Sequence, residues 1–293
     1  MSLLLKRSWH DHLADALIAL VLLLLALSIL LPFWILLVRS LTRSVAGSSS
    51  MSLWPREFTL TNYITVAKNQ FVWIGYRNTA LRTVIGTAAA LSMTSIGAYC
   101  LSRKHFPMRT FWTLFVVITM FVSGGLIPSY LLIVNLGLID SLFALILPSL
   151  ISTYNMVIMR NFFQQLPVEI EESGRIDGAS NVIILWRLIL PISKPVLATV
   201  ALWIAVSHWN AWFDCMIYIR SFDKYVLQVV LRRIVLEGTL QMMDSSAAQL
   251  DYQLNPEGVK AAIIFFTTLP IILVYPFIQR YFTQGILLGS LKG

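Results

Sequence analysis

Charge is scarce in this sequence. Only 12% of the 293 residues are Asp, Glu, Lys or Arg, 57% are hydrophobic, and the mean hydropathy is +0.75. So few charged side chains cannot cover the surface of a water-soluble fold of this length. The core helices of a soluble protein also carry charge on one face every turn or so, and the long apolar runs here do not. The composition therefore predicts that lipid surrounds most of the chain.

Cysteine and familiar catalytic motifs are equally scarce. Cys100 and Cys215 are the only cysteines, and their separation fits neither a metal site nor a disulfide framework. The sequence contains no G-x-x-x-x-G-K-[ST] phosphate loop, no H-E-x-x-H and no G-x-S-x-G. His208 has no ionisable residue four positions on, which weakens a metal or proton-relay role. We therefore predict that the chain is not an enzyme and holds no metal or cofactor.

Apolar runs close to the roughly 20 residues that a helix needs to cross a bilayer occur along the whole chain. Open strand edges are too costly at membrane depth, and the alternation typical of a transmembrane barrel is missing. The predicted fold class is all-α, a polytopic membrane protein with one domain over residues 1–293. The six predicted transmembrane helices cover residues 13–38, 79–102, 110–133, 139–161, 195–219 and 259–281.

The amino-terminal apolar run resembles a secretion signal only superficially. Lys6 and Arg7 precede it, and residues 44–46 loosely resemble a cleavage site. The run is much longer than the core of a signal peptide, and Arg39 and Arg43 intervene before that site. We predict an uncleaved first helix.

The distribution of basic residues orients the predicted helices. Arg103, Lys104 and Arg109 lie between the second and third spans with no acidic neighbour, whereas residues 134–140 contain no base. Short basic loops remain in the cytoplasm, so we predict two cytoplasmic termini and a cytoplasmic loop over residues 162–194. Residues 39–78 and 220–258 then lie outside. The excess of basic residues in cytoplasmic loops also explains the net charge of +8. A nucleic-acid partner is not needed to explain it, and the sequence has no basic surface that would bind one.

The predicted cytoplasmic loop has its own helical pattern. Pro167 suits the start of a short helix, and the glutamates of residues 169–172 favour its amino-terminal dipole. Gly178 after Asp177 predicts a turn with a residue that tolerates positive φ. A second short helix is predicted from Ala179 until prolines at 191 and 195 interrupt it.

This loop resembles the motif of binding-protein-dependent ABC importer permeases, written E-A-A, three residues, G, nine residues, I-x-L-P. Glu172, Ser173 and Gly174 stand at the E-A-A positions, Gly178 at the glycine, and residues 188–191 read Leu-Ile-Leu-Pro. Ser and Gly replace the two alanines and Leu replaces the isoleucine, which lowers helix propensity slightly. These exchanges are small for small and apolar for apolar, so we expect the loop to keep its shape.

The resemblance implies that the loop forms coupling helices that contact a cytoplasmic ATPase subunit. ATP and Mg would then bind a dimer of partner ATPase chains, while this chain binds neither. The alternative to coupling helices is an ordinary acidic amphipathic loop between two membrane helices. The residues assigned to ATPase coupling are Glu169, Glu171, Glu172, Ser173, Gly174, Arg175, Asp177, Gly178, Ala179, Leu190 and Pro191.

The resemblance extends over nearly the whole chain. Residues 121–131 and 136–138, and the carboxyl-terminal residues 279–286, are similar to the maltose-type permeases, in particular their polysaccharide branch. It implies a type I ABC importer permease (MetI-like) fold in the cytoplasmic (inner) membrane, an oligosaccharide substrate, and alginate as the specific candidate. It also implies a second homologous permease, identical or different. Gly124, Gly125 and Pro128 suit a bend in a moving helix or a purely structural kink.

A sugar pathway needs polar side chains, because the hydroxyls of the sugar lose bound water that protein groups must replace. It also needs aromatic side chains, because sugar rings stack on aromatic faces. Polar residues inside membrane segments are functional candidates, although hydrogen bonding between helices is the commoner role. The candidates are Tyr154, Asn155, His208, Trp209, Asn210, Trp212 and Asp214, with Thr153 and Ser207 beside them.

The predicted outer loops are long enough to meet another protein. Alternating apolar and charged residues over 226–236 predict an amphipathic helix on the membrane surface. Residues 241–255 and 54–70 are predicted to dock an extracytoplasmic solute-binding protein. A channel or a secondary transporter is the main competing function, but inverted repeats and ion-coupling charges are not evident.

Overall fold

The computed structural model describes residues 9–43, 53–55, 57–237 and 255–290, and most of them are helical. An isolated β-bridge between Thr42 and Phe58 is the only strand-like pairing in these ranges. The predicted all-α class is therefore confirmed. The helices are α1 (Trp9–Ser40), α2 (Thr61–Lys68), α3 (Gln70–Ser102), α4 (Arg109–Ile118), α5 (Leu126–Asn135), α6 (Leu142–Ile146), α7 (Thr153–Gln164), α8 (Glu169–Ile176), α9 (Asn181–Ile192), α10 (Lys194–Asn210), α11 (Phe213–Tyr218), α12 (Leu227–Arg232) and α13 (Pro256–Ser290).

Three stretches are long and apolar enough to cross a membrane alone: His12–Ser40, Gln70–Ser102 and Pro256–Leu273. Two further spans result if each bent pair counts as one, namely Leu142–Ser149 with α7 and α9 with α10. By length and composition the described residues thus hold up to five spans. The count of six stays a prediction.

The third predicted span, 110–133, is not one helix. It consists of α4 and α5, ten residues each, separated by residues 119–125. Gly125 at φ +82° takes a conformation that favours glycine, and Pro128 near the start of α5 lacks an N–H. Each helix is about 15 Å long, so neither alone spans a bilayer core of about 30 Å.

The predicted spans 139–161 and 195–219 are also interrupted. Leu142–Ser149 bends by 51° against α7, and the Ser152 hydroxyl caps α7 by accepting from the Asn155 N–H at 3.4 Å. The last predicted turns of 195–219 form the separate helix α11. Hydropathy averages over a window and does not register these breaks.

The predicted outer loop over residues 39–78 contains more helix than expected, since it includes α2 and the start of α3. In the other predicted outer loop, α12 lies within the stretch 226–236 where a helix was predicted. Contacts divide the chain into two compact units, one within residues 1–69 and 243–266 and the other within 70–242 and 267–293. The single domain over 1–293 stays a prediction.

The first unit is held by an amide network. The buried Asn62 side chain donates to the Ser40 and Thr42 carbonyls at 2.8 and 3.2 Å. Asn255 donates to the Thr42 carbonyl and to the Asn62 amide oxygen at 2.9 and 3.2 Å, and accepts from the Gly258 N–H at 2.9 Å. The carbonyl of Ser40, the last residue of α1, is thereby satisfied.

The second unit is built around α3, which packs against α7 and α10. Its apolar core includes fully buried Met159, Phe163 and Val200. Gly86 on α3 allows close approach, since a Cβ there would lie 2.6 Å from His208 Nε2. His208 is 4% exposed and fills the space that glycine leaves.

Helix α12 does not lie on the membrane surface as predicted. Leu227, Val229 and Val230 are buried, and the Leu227 N–H donates to Thr79 Oγ1 of α3 at 2.8 Å. A Cβ on Gly75 would lie 3.0 Å from Leu227 Cα, so the two backbones almost touch. The apolar face that the pattern assigned to lipid is covered by α3.

Asp140, in the turn between α5 and α6, joins that turn to residues 220–224. Its carboxylate accepts from the Ser221 hydroxyl at 2.6 Å, the Arg220 and Ser221 N–H groups at 3.0 Å, and Lys224 Nζ at 2.7 Å. Burial alone would raise the pKa of Asp140, but these donors outweigh it and hold the pKa well below its usual range. The junction is therefore ionised at physiological pH.

We expect Gly86→Ala to destabilise the second unit by about 1–3 kcal/mol, because the new methyl group overlaps the buried His208 ring. Thermal unfolding of the detergent-purified chain measures the effect. Gly124→Ala is the matched control, since a Cβ there meets nothing within 4 Å. His208→Ala in the Gly86→Ala background should restore part of the loss. Equal midpoints for the two alanine variants would contradict this packing.

Candidate functional site

Helix α8 and the turn after it have the geometry that the sequence predicts. Gly178 is at φ +78°. Its N–H donates to the Arg175 carbonyl at 3.0 Å, and the Ala179 N–H donates to the Gly174 carbonyl at 2.9 Å. This pair of bonds is the Schellman arrangement that ends a helix at a left-handed residue. Glu169, Glu171 and Glu172 occupy the first turn, where the helix dipole favours negative charge.

A buried ion pair attaches α8 to the end of α3. Glu171 is 4% exposed, and its Oε1 lies 2.5 Å from Arg103 Nη2 while its Oε2 lies 4.0 Å from Arg175 Nη2. The Arg103 guanidinium also lies over the Tyr99 ring, 4.5 Å from its centroid. Breaking such a pair would leave a buried charge uncompensated. The sequence analysis used Arg103 only for topology and missed this role.

Helix α8 also packs directly on α9. A Cβ on Gly174 would lie 2.8 Å from Leu188 Cδ1 and 3.3 Å from Ile184 Cγ1. Only a glycine lets the two helices come this close without a shift of those side chains. The glycine that departs from the family's alanine is therefore a packing residue.

The second short helix predicted between Ala179 and the prolines at 191 and 195 corresponds to α9, which begins at Asn181 and passes Pro191. It continues to Ile192, because residues 184–189 form a π-helical stretch just before the proline. In this wider turn the backbone does not follow the regular hydrogen-bond pattern of an α-helix. Pro191, which has no N–H, therefore does not leave a regular bond unmade. The interruption falls at Ser193, where α9 and α10 meet at 88°.

The predicted coupling residues divide into a buried and an exposed set. Glu171 and Gly174 are buried, and Leu190 and Ala179 are half-buried. Ile176, at the end of α8, was not predicted, yet it is 85% exposed. An exposed large apolar side chain amid polar ones is a typical anchor for a protein partner. The exposed members of the predicted set are Glu169, Glu172, Ser173, Arg175, Asp177, Gly178 and Pro191.

The break between α10 and α11 opens a groove. Among the predicted pathway residues, the structure brings Asn210, Trp212 and Asp214 together there with Ser207. The Arg232 guanidinium lies over the Trp212 ring, 4.1 Å from its centroid, and Gln228 Nε2 donates to Asn210 Oδ1 at 3.5 Å. The groove therefore combines an aromatic ring and an amide, with a cation stacked on that ring.

The other predicted pathway residues lie outside this groove. Asn155 and His208 are buried in the second unit, whereas Tyr154 is 57% exposed, with its ring 6.0 Å from that of Trp203. Trp209 packs on Tyr76 at 6.2 Å. Thr153 Oγ1 lies 2.9 Å from Thr119 Oγ1, which joins α7 to the end of α4.

Asp214 is held by Arg82, a residue that the sequence analysis missed. Arg82 is 2% exposed, and both of its terminal nitrogens contact the Asp214 carboxylate. It also donates to the Leu145 carbonyl at 3.2 Å and the Ala211 carbonyl at 3.5 Å. The signal was available: the predicted spans 79–102 and 195–219 each contain one strong charge near an end, and the two charges are opposite in sign.

Comparison with known proteins gives a consistent result. The sequence pattern described as "Binding-protein-dependent transport system inner membrane component" matches residues 86–288. Protein LplC of Bacillus subtilis is 41% identical over 266 residues, 90% of each chain. The polygalacturonan/rhamnogalacturonan transport system permease protein YtcP of Bacillus subtilis is 38% identical over 284 residues, 97% of this chain and 99% of YtcP.

A solved structure is similar over almost the same length. It is a chain from the crystal structure of a bacterial ABC transporter involved in the import of the acidic polysaccharide alginate. The TM-score is 0.88 at 30% sequence identity, covering 95% of this chain and 99% of that chain.

We expect Arg82→Met to lower the free energy of unfolding by about 3 kcal/mol, because Asp214 keeps its charge in a half-buried position without a partner. Replacing both residues, with Arg82→Met and Asp214→Leu, should recover most of that loss, since no charge remains unpaired. Thermal midpoints of the single and double variants, analysed as a double-mutant cycle, give the coupling energy. Strictly additive losses would contradict the ion pair.

Proposed function

The chain belongs to the family of binding-protein-dependent transport system inner membrane components, and we propose that it forms half of the translocation pathway of an ATP-driven oligosaccharide importer. It is a permease subunit and not an enzyme. Energy enters from a separate ATPase dimer that binds ATP and Mg. The two halves of the pathway alternate between inward and outward access as that dimer closes and opens.

The observation that carries this proposal is the two-faced construction of α8. One face is fixed to α3 and α9 through buried Glu171 and Gly174. The other face presents acidic and polar side chains together with exposed Ile176. A short helix built in this way suits a contact with an ATPase, because a push on its exposed face reaches α3 and α9 directly.

The path of transmission follows from the same contacts. Displacement of α8 moves Arg103 at the end of α3 and Leu188 in α9. Helix α9 meets α10 at 88°, so a shift along α9 becomes a tilt of α10. The far end of α10 carries the groove with Asn210 and Trp212. Coupling between ATPase and solute thus runs through packed, rigid elements.

The breaks in the helices support a pathway along this subunit. Non-helical backbone at membrane depth is tolerated only where protein covers it or where it lines a water-filled cavity. Residues 119–125 and 211–212 both fall in predicted spans. An aqueous route for solute, shared with a second homologous permease, satisfies that requirement at both places.

The substrate we propose is an oligosaccharide that contains uronate, with alginate as one candidate. Two similar proteins bear names or titles that refer to polygalacturonan and rhamnogalacturonan or to the acidic polysaccharide alginate. In the groove, Trp212 offers a face for a sugar ring, and Arg232 beside it offers a cation for a carboxylate. Asp214 does not repel that carboxylate strongly, because Arg82 neutralises it.

The topology and the outer partner complete the proposal. Both termini and the coupling segment face the cytoplasm. A solute-binding protein docks on the predicted outer loops. Residues 54–70 remain part of that proposed dock, while most of the other predicted stretch, 241–254, lies outside the described residues.

Gly178 provides the test of coupling. A Cβ there meets no atom within 4 Å, so a substitution acts only through the φ of +78°. We expect Gly178→Val to cut uptake of labelled oligosaccharide by about tenfold, because a branched residue in that region costs roughly 1–2 kcal/mol. ATP hydrolysis by the assembled importer should persist.

Gly178→Asn is the matched control, because asparagine tolerates the left-handed region and should retain most of the uptake. Full uptake by the valine variant would show that the turn does not transmit the ATPase movement.

A further inference from the structure

A second polar cavity lies beside the coupling segment, which is α8 with the turn at Gly178. It has a volume of about 340 Å³ and is formed where the end of α3, the turn before α4, the end of α7 and the first turns of α8 meet. The groove between α10 and α11 has no residue in common with it. The lining residues that carry the argument are Arg103, Lys104, Arg109, Glu171, Glu172 and Arg175.

The charges in this cavity are not balanced. Four of the lining side chains are permanent cations and two are carboxylates. Glu171 is already occupied by Arg103 and Arg175. Lys104 and Arg109 form no ion pair with any acidic group of the described ranges. With Glu172 as the only other carboxylate, the cavity keeps a surplus of positive charge that favours an anion.

Part of the cavity wall is apolar. Phe163, Leu166 and Val168 form part of its wall. Directly after Arg109, Phe111 and Trp112 are 52% and 43% exposed, and their rings lie 5.3 Å apart. Aromatic side chains at this position are typical of the level of lipid headgroups. A ligand that fits both parts has an anionic head and apolar chains.

We propose that this cavity binds the phosphate headgroup of an anionic phospholipid of the cytoplasmic leaflet, through Lys104 and Arg109. Phe111 and Trp112 contact the lipid's glycerol and acyl chains. Assignment to the cytoplasmic leaflet rests on the proposed function and its topology. The bound headgroup lies against Glu172 and the Glu171–Arg103 pair, so the lipid stabilises the position of α8 and with it the coupling segment.

Free phosphate has the same head chemistry, but the structure favours the lipid. A soluble anion would gain nothing from the exposed aromatic pair. A lipid phosphate is also held at the depth of the membrane surface, where each nearby Lys or Arg contributes about 1 kcal/mol to its attraction. Removing one of the two cations should therefore weaken lipid retention about fivefold.

The test uses the full chain purified with its partner subunits into bilayer discs of mixed phosphatidylglycerol and phosphatidylcholine. Native mass spectrometry counts the phosphatidylglycerol retained per complex. We expect Lys104→Gln and Arg109→Gln each to reduce retention about fivefold, while the charge-conserving Lys104→Arg keeps it. Lys194→Gln and Arg187→Gln are matched controls, since both are exposed cations of the same cytoplasmic segment outside the cavity.

Equal retention by the cavity variants and the matched controls would overturn the proposal. Displacement of the lipid by millimolar inorganic phosphate would show a phosphate site without lipid preference, which would also overturn it. Specific retention in a chain that fails to couple ATP hydrolysis to uptake would reject the proposed function and leave the lipid site intact. Normal coupling of ATP hydrolysis to uptake without specific lipid retention would reject the lipid site and leave the proposed function intact.

Discussion

Every feature of this chain follows from the need to satisfy backbone polar groups in a medium without water. Long helices such as α1 and α3 meet that need internally. Where a helix stops inside a predicted span, other groups take over: Arg82 donates to the carbonyls of Leu145 and Ala211, and Ser152 caps α7. The breaks are thus few, specifically supported, and concentrated where the pathway is proposed.

The coupling segment is likewise held in place by a small number of contacts. One buried carboxylate, Glu171, faces two arginines, and one glycine, Gly174, sets the spacing to α9. These two contacts make α8 part of the membrane domain, while its exposed face stays available to a partner. In the proposed importer, lipid charge in the adjacent basic cavity lies beside the same carboxylates, and the ATPase and the membrane act on α8 from opposite sides.

The sequence was sufficient for the class, the family and the turn at Gly178. Composition alone predicted an all-α membrane chain, the resemblance in residues 166–191 predicted the permease fold, and the comparisons confirm both. At 119–125 the sequence predicted a bend or kink from Gly124, Gly125 and Pro128 but not two separate helices, and the break at 211–212 was not predicted, because hydropathy is insensitive to backbone conformation. The pairing of Arg82 with Asp214 was missed because it joins residues distant in sequence, and α12 was assigned to lipid because periodicity does not identify what covers an apolar face.

The central claim is that α8 lies in the cytoplasm against an ATPase subunit. Cross-linking from Ser173→Cys, in a chain whose native Cys100 and Cys215 are replaced, tests it most directly, because residue 173 is exposed on the proposed contact face. A thiol-reactive photo-crosslinker attached to this cysteine should capture the ATPase subunit, and the cysteine should not react with a membrane-impermeant thiol reagent added to intact cells. Labelling of that cysteine from outside the cell would contradict the account.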